Sequence, residues 1–363
     1  MADRVTDRTT AQESITGSGA EAPVPGAADR MFDKLRCAAR FGDERIGWNR
    51  IGFSLSLAII ALAGGVLLHI LRGIKVERVT AAMLAARTSD LVWAAVLVAG
   101  GYFTLTFYDL FALRTIGWRK IPYRIAMLAS FASYAIGHNV GASVLTGGAV
   151  RYRIYSAWGL DGLAVTKLCF LAGLTFWLGN ATVLGLGIAY VPAAASAIDQ
   201  LPEWVNRGLA ALILLVLGSY VAWVWRGRRV IGRRGWTVAL PDGPLTLLQI
   251  GIGIVDLAFC ALAMFMLLPV GPNIGFVSLA VIFVSATLLG FASHAPGGLG
   301  VFDAAMLVAL WQFDKARLLA GLLLFRLLYY VVPFVLSLLI LGMREVLWGL
   351  RWRKEEPPLV PPH

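Results

Sequence analysis

Apolar residues run along this chain in long stretches that are separated by shorter polar segments. The stretches lie at about 51–71, 91–113, 122–147, 163–190, 205–225, 245–269, 274–312 and 316–343. A helix needs about 20 apolar residues to cross roughly 30 Å of hydrocarbon, and most of these stretches reach that length. The pattern therefore predicts an all-α polytopic membrane protein.

Basic residues cluster at four places beside the apolar stretches, namely 30–50, 114–124, 226–234 and 344–354. Because Lys and Arg concentrate in cytoplasmic loops, we place all four clusters, and both termini, in the cytoplasm. Three apolar stretches lie between 114–124 and 226–234, but two cytoplasmic segments must be joined by an even number of crossings. The stretch 122–147 is therefore predicted to be a re-entrant hairpin, which enters and leaves on one side.

The stretch 274–312 raises the same question, since by this topology it begins and ends outside. It contains SHAPGGLGVFDAA (293–305), whose Pro and Gly residues open the helix and allow a turn at membrane depth. Irregular backbone at that depth is tolerated only inside protein or against a watery cavity. We predict a broken hairpin, with two full spans as the alternative. The predicted hinge residues of the two hairpins are Gly147, Gly148, Pro296, Gly297 and Gly298.

The two halves of the chain repeat one order of elements. LTGGAVRY (145–152) aligns with APGGLGVF (295–302), and DLFAL (109–113) aligns with DLAFCAL (256–262). Each half has an odd number of crossings, so we predict two inverted repeats with about six full spans plus two broken hairpins, a pattern typical of transporters. The predicted organisation is a disordered cytoplasmic tail (1–45), repeat A (46–190), repeat B (191–345) and a second cytoplasmic tail (346–363).

Composition agrees with this prediction and narrows the chemistry. Hydrophobic residues make up 58% of the chain and charged residues 15%, with a net charge of +11. In a membrane protein this charge does not point to a nucleic-acid partner, and the positive-inside bias explains it better than a dedicated site for an anionic ligand does. Three cysteines without a CxxC pair predict neither a disulfide framework nor a zinc site. HExxH, GxxxxGK[ST], Rossmann and GxSxG motifs are absent from the sequence, so we predict no cofactor, no metal and no enzymatic activity.

Ionisable residues inside the apolar stretches are the first candidates for function. A charge at the bilayer centre costs roughly 2.5–3.5 kcal/mol on insertion scales, so such residues usually share a polar interior. Asp256 and Arg326 lie in the middle of their stretches, Asp303 follows the second break, and Asp109 lies near the inner end of its helix. They form either a lipid-headgroup or proton site, or a structural ion pair such as Asp303 or Asp256 with Arg326.

The hairpins add further candidates. His138 and Asn139 could bind a headgroup or cap broken helix ends, which leave backbone groups unsatisfied. Arg151 and Arg153 suit phosphate, which Arg binds through paired donors, but they could also be ordinary flanking charges. His294 and Tyr330 complete the set of candidate lipid-binding residues.

Three motifs resemble the transmembrane part of the lysylphosphatidylglycerol synthetase (multiple peptide resistance factor) family. They are GHNVGASVLTGGAVRYRIY (137–155), PGGLGVFD (296–303) and LLLFRLLYYVVPF (322–334), and the resemblance extends over roughly 50–345. It implies a flippase-like domain that moves aminoacylated phosphatidylglycerol from the inner to the outer leaflet. In that family a separate cytosolic domain makes the lipid. We expect this chain to be a stand-alone form without that synthase domain.

The sequence therefore predicts a bacterial inner-membrane translocase whose partners are membrane lipids, either anionic or aminoacylated phospholipids. One alternative is a membrane partner that docks a separately encoded synthase and transports nothing. Another alternative is a transporter of a small solute.

Overall fold

The computed structural model describes residues 75–141, 143–233 and 236–354. The predicted tail at 1–45, the apolar stretch 51–71 and the residues after 354 lie outside this part of the chain. A helix continues to Lys354, so the first residues of the predicted C-terminal tail are helical.

Helices make up nearly all of the described structure. In the first half they are α1 (Val76–Leu84), α2 (Thr88–Thr115), α3 (Tyr123–Val140), α4 (Ser143–Tyr155) and α5 (Gly162–Tyr190). The second half contains α6 (Pro192–Asp199), α7 (Glu203–Trp225), α8 (Gly243–Met266), α9 (Phe276–Ala292), α10 (Val301–Ala309), α11 (Lys315–Arg326) and α12 (Val332–Lys354). A β-hairpin, which the sequence did not predict, joins α7 to α8 through β1 (Val230–Arg233) and β2 (Trp236–Ala239).

Five helices of the described part are long and apolar enough to cross a membrane. They are α2, α5, α7, α8 and the continuous rod Lys315–Arg344, in which a π-helical turn at Leu327–Val331 joins α11 to α12. The prediction of a polytopic helical membrane protein is confirmed, and the expected sixth span, 51–71, lies outside the described residues.

Aspartates begin several of these helices. The side chains of Asp161, Asp242 and Asp314 accept hydrogen bonds from backbone N–H groups in the first turns of α5, α8 and α11, at 2.8, 3.1 and 2.9 Å. The first N–H groups of a helix have no intrahelical partner, and an Asp before the helix satisfies one of them. These carboxylates therefore mark the helix ends rather than the interior of the membrane protein.

Both predicted hairpins are present, and their tips meet. The α3–α4 hairpin begins where α2 ends, whereas α5, α7 and α8 cross before the α9–α10 hairpin begins, so the two hairpins enter from opposite faces. At 13 residues, α4 is about 20 Å long, which is too short to cross the hydrocarbon. A Cβ added at Gly141, the first tip, would lie 3.4 Å from Cα of Pro296 in the second tip. The tips therefore meet within the membrane protein.

The position of the first break differs from the prediction. The chain turns at Gly141, whose φ of 83° and ψ of 177° belong to a region that only glycine occupies readily. Gly147 and Gly148 lie inside α4 and are not hinges. A Cβ at Gly147 would be 3.2 Å from the carbonyl oxygen of Ser133, so this glycine allows α4 to pack closely on α3.

The second break follows the prediction. Pro296, Gly297 and Gly298 form a short 3₁₀ turn between α9 and α10, and the φ angles of the two glycines are 59° and 60°. Gly298 also lies against Gly290 of α9, where an added Cβ would come within 3.2 Å of the Gly290 Cα. This close approach folds the turn back onto α9.

The halves pack reciprocally. Helices α2 and α8, which carry the aligned Asp109 and Asp256, pack along each other at the centre. Helix α3 of the first half contacts α12 of the second, and α9 of the second half contacts α5 of the first. Gly179 and Gly253 meet where α5 crosses α8. Each hairpin thus packs against the helix of the other half that corresponds to the last helix of its own half. Together with hairpins that enter from opposite faces, this is the arrangement expected of inverted repeats.

Candidate functional site

A buried ion pair holds the first hairpin against α2. Asp109 is completely buried, and Arg151 of α4 donates from Nε and Nη2 to its carboxylate at 2.8 to 3.1 Å. The hydroxyl of Tyr155 donates to the same carboxylate at 2.9 Å. The charge of Asp109 is therefore compensated inside the protein.

A second buried pair closes the second hairpin, and we call Arg326 and Asp303 the break clamp. Arg326 donates from Nε to Oδ1 of Asp303 at 2.9 Å and from Nη2 to Oδ2 at 2.7 Å. Its Nη1 also donates to the carbonyl oxygen of Gly297 at 2.9 Å. Asp303 accepts a further bond from the N–H of Gly300 at 3.1 Å. The partner of Arg326 is thus Asp303, and this Arg also satisfies backbone that the break exposes.

Three aromatic side chains lie in a row between the arginines of the two ion pairs. We call this row, with its two arginines, the central file; in order it consists of Arg151, Tyr134, His138, Tyr330 and Arg326. The guanidinium of Arg151 lies 4.8 Å from the ring centroid of Tyr134, and that of Arg326 lies 5.5 Å from the centroid of Tyr330. Between them, the centroid of His138 lies 5.6 Å from that of Tyr134 and 6.4 Å from that of Tyr330. Cations are attracted to ring faces at such distances, so the two guanidinium groups pack on the outer rings of a row that extends from one half to the other.

Two hydrogen bonds reinforce this junction at the π-helical turn. The side-chain amide of Asn139 donates to the backbone carbonyl oxygen of Tyr330 at 3.0 Å. The hydroxyl of Tyr102 donates to the backbone carbonyl oxygen of Tyr329 at 3.0 Å. A π-helical turn shifts the helical hydrogen-bond pattern, and such turns are frequent at functional sites. Here it presents two carbonyl groups of the second half to side chains of the first.

Asp256 differs from the other two buried aspartates. Its Oδ2 accepts from the hydroxyl of Tyr108 at 3.1 Å, whereas its Oδ1 has no hydrogen-bond partner in the described structure. Only 5% of the residue is exposed. The Nδ1 of His138 and the Oγ of Ser133 are likewise buried without a partner. The interior thus holds polar atoms that neighbouring described groups do not satisfy.

The remaining predicted residues lie outside the central file. Arg153 is exposed near the end of α4. His294 is exposed at the second break, where its φ is 56°, and its Nδ1 lies 3.0 Å from the carbonyl oxygen of Ala292. Among the described residues, no group of three or more His, Cys, Asp or Glu is arranged to hold a metal ion.

Sequence reasoning named Tyr330 but missed the other tyrosines of this site and the first tip. Tyr134 links the file, and Tyr108 and Tyr155 donate to buried carboxylates. The signal available for Tyr108 was its position directly before Asp109 in an otherwise apolar stretch. Gly141 follows His138 and Asn139 closely, and a glycine beside polar residues in an apolar stretch can mark a break.

Comparison with known proteins places the chain among membrane proteins. No family model matches it. It is 28% identical over 281 residues to the uncharacterised protein slr0712 of Synechocystis, an alignment that covers 77% of this chain and 87% of that protein. It is 31% identical over 255 residues to inner membrane protein YbhN of Escherichia coli, covering 69% of this chain and 78% of YbhN.

A third relative confirms the motif resemblance. Phosphatidylglycerol lysyltransferase of Staphylococcus haemolyticus is 24% identical over 245 residues, which are 65% of this chain and 27% of the lysyltransferase. The shared segment is thus a minor part of that enzyme. From the identity to YbhN and from the five membrane-crossing helices, the chain belongs to the YbhN family of multi-pass membrane proteins, which shares a membrane domain with the phosphatidylglycerol lysyltransferases.

Proposed function

We propose that the protein is a lipid translocase that moves the headgroup of a phospholipid between leaflets where the two hairpin tips meet. The observation that carries the proposal is the contact between Gly141 and Pro296, beside a buried file of polar side chains that joins the halves. Hairpins from opposite faces leave only short, irregular segments between the two leaflets at this place. A headgroup therefore has the shortest distance to travel there.

The surface of the tips favours a lipid over a small solute. Val140, Val144, Leu145 and Leu299 flank the two breaks and are 53 to 75% exposed. In a bilayer, such side chains contact acyl chains. The polar file lies behind them, so a lipid can keep its tails in the hydrocarbon while its headgroup passes the file.

The charges of the file suit an anionic headgroup. Arg151 and Arg326 both form paired bonds to a carboxylate, and a phosphate accepts bonds of the same geometry. A headgroup phosphate can therefore replace Asp109 or Asp303 during passage. One relative is named a phosphatidylglycerol lysyltransferase, which supports phosphatidylglycerol or its aminoacylated form as the substrate class. In this proposal the chain itself performs no lipid synthesis.

The helix ends support the expected orientation in the inner membrane. The face where α2 and α7 end carries mainly basic residues, among them Arg114, Arg119, Lys120, Arg124, Lys167, Arg226, Arg228 and Arg229. The opposite face mixes Lys75, Arg78, Arg87, Arg207, Lys315 and Arg317 with Glu77, Asp90, Asp199, Glu203 and Asp314. We assign the basic face to the cytoplasm by the positive-inside rule. YbhN is named an inner membrane protein, which agrees with this location.

The test is lipid movement in proteoliposomes that contain the purified protein and fluorescent phosphatidylglycerol. Dithionite bleaches only outer-leaflet label, so translocation raises the bleached fraction above that of protein-free vesicles. His138→Phe keeps a ring in the file but removes its polar atoms, and we expect it to slow translocation. Tyr220→Phe, which removes a hydroxyl from α7 away from the file, is the matched control and should leave the rate unchanged.

The outcomes separate the alternatives. Wild-type vesicles that match protein-free vesicles would reject a translocase, and a synthase that co-purifies with such inactive protein would identify a docking partner. Equal rates in wild type and His138→Phe would reject the role of the file.

A further inference from the structure

We propose that Asp256 is a proton-exchange site, whose carboxylate takes up and releases one proton during the translocation cycle. The inference rests on the proposed function and deepens it, because it supplies a route by which a proton gradient can drive lipid movement.

The first observation is that this buried carboxylate lacks a counter-charge. Asp109 and Asp303 each form paired bonds to an arginine, whereas Asp256 accepts one bond, from Tyr108. Its Oδ1 is buried without a partner in the described part of the chain. A buried ion that finds no partner neutralises itself by proton binding rather than remaining charged. The site is therefore built to hold a proton in at least one state of the protein.

The aligned sequences of the two halves differ at the position of the arginine. Asp109 and Asp256 are equivalent, since DLFAL aligns with DLAFCAL. The alignment of Gly147 with Gly297 places Val301 where the first half has Arg151. Val301 is buried in α10 and cannot neutralise a carboxylate. In this structure one half therefore has an aspartate paired with an arginine, and the other half has an aspartate without a basic partner among the described residues.

The titratable groups around Asp256 leave its charge uncompensated. Those that interact with it electrostatically are Tyr102 and Tyr108 of α2, Tyr134 of α3, Cys260 of α8 and Tyr329 of the π-helical turn. None of these five side chains is basic. A neutral hydrogen-bond donor leaves the full negative charge of a carboxylate in place, so proton uptake is the remaining means of neutralising it among these groups.

The surroundings of Oδ1 favour a proton over a metal ion. A Cβ added at Gly101 of α2 would lie 3.7 Å from Oδ1 of Asp256 and 3.6 Å from Sγ of Cys260. Oδ1 of Asp256 therefore lies close to the backbone of α2. A hard metal ion takes about six oxygen ligands, and Tyr108 is the one side chain described as bonding to Asp256.

Tyr108 connects the proton site with the central file. Its hydroxyl holds Asp256, and its ring centroid lies 6.0 Å from that of Tyr134, on which Arg151 is placed. A change of charge at Asp256 therefore acts on the side chains that surround the proposed headgroup path.

The first experiment observes the proton directly and requires no transport. Infrared difference spectra of the protein in nanodiscs, taken between about pH 5 and pH 9, should contain a carboxylic-acid C=O band that Asp256→Asn abolishes. Tyr108→Phe removes the hydrogen bond and should shift the frequency of that band, which provides a second readout if the Asn variant folds poorly. Absence of any titrating band that depends on Asp256 or Tyr108 would overturn the proposal.

The second experiment connects the proton to lipid movement. In proteoliposomes with an imposed pH gradient, wild type should change its translocation rate several-fold relative to no gradient, whereas Asp256→Asn should not respond. An equal response of both proteins would also overturn the proposal. Wild-type vesicles without lipid movement would reject the translocase function alone, since the infrared band still decides whether Asp256 exchanges a proton.

Discussion

The break clamp makes a quantitative prediction about stability. In Arg326→Met, the side chain keeps much of its length but loses the bonds to Asp303 and to the carbonyl of Gly297. Removing one partner of a buried ion pair costs about 3–5 kcal/mol, because the other charge stays buried and unpaired. A loss of about 3 kcal/mol in the free energy of unfolding lowers the folded-to-unfolded ratio roughly 150-fold.

Reversible unfolding in mixed detergent and SDS micelles measures this free energy. The double variant Asp303→Leu with Arg326→Met removes both charges, and we expect it to recover most of the loss, since apolar replacement of a whole buried pair is often neutral or stabilising. Arg317→Met is the matched control on the exposed surface of the same helix and should change stability by less than about 0.5 kcal/mol. A cost below about 1 kcal/mol for Arg326→Met, or additive costs in the double variant, would refute the clamp.

Two further predictions concern glycines, each with its own control. Gly253→Leu should lower the melting temperature several-fold more than Gly251→Leu in the same helix. A Cβ at Gly253 would be 2.7 Å from the Cα of Gly179, whereas nothing lies within 4 Å of a Cβ at Gly251. Equal melting temperatures of the two variants would contradict the close crossing of α5 and α8. Gly141→Ala should slow lipid movement, because the φ of Gly141 is 83° and this residue contacts the second tip. Gly117 has a similar φ of 89° but open space around it, so Gly117→Ala should lower stability by about 1 kcal/mol and leave transport intact. Equal transport rates of the two Ala variants would show that contact between the tips is not needed for lipid movement.

Much of the architecture could be predicted because it depends on local chemistry. Helix length against bilayer thickness defines the spans, and charge in the loops defines the parity that requires a hairpin. The second break was predictable from Pro296 and its neighbouring glycines, since proline lacks an N–H and glycine adopts positive φ. These rules need no knowledge of which helices touch.

The misplaced first break illustrates the opposite case. A helical glycine costs about 1 kcal/mol relative to alanine, so the pair Gly147 and Gly148 suggests a break. The close packing of α4 on α3 outweighs that cost, and the turn lies at Gly141 instead. The sequence also left Asp256 and Asp303 as equal partners for Arg326. Only the three-dimensional path of the second hairpin decides between them. Tyr134 was missed for a similar reason, since its place in the file depends on how helices pack.

The meeting of the tips has a consequence for biosynthesis. Gly141 leaves the ribosome about 150 residues before Pro296, and at 5–20 residues per second the first hairpin waits roughly 8–30 s for its counterpart. During that interval the opened backbone at its tip faces hydrocarbon or translocon rather than protein, which is unfavourable for unsatisfied peptide groups. Newly made chains should therefore depend on the insertion machinery to shelter the first half until the second arrives.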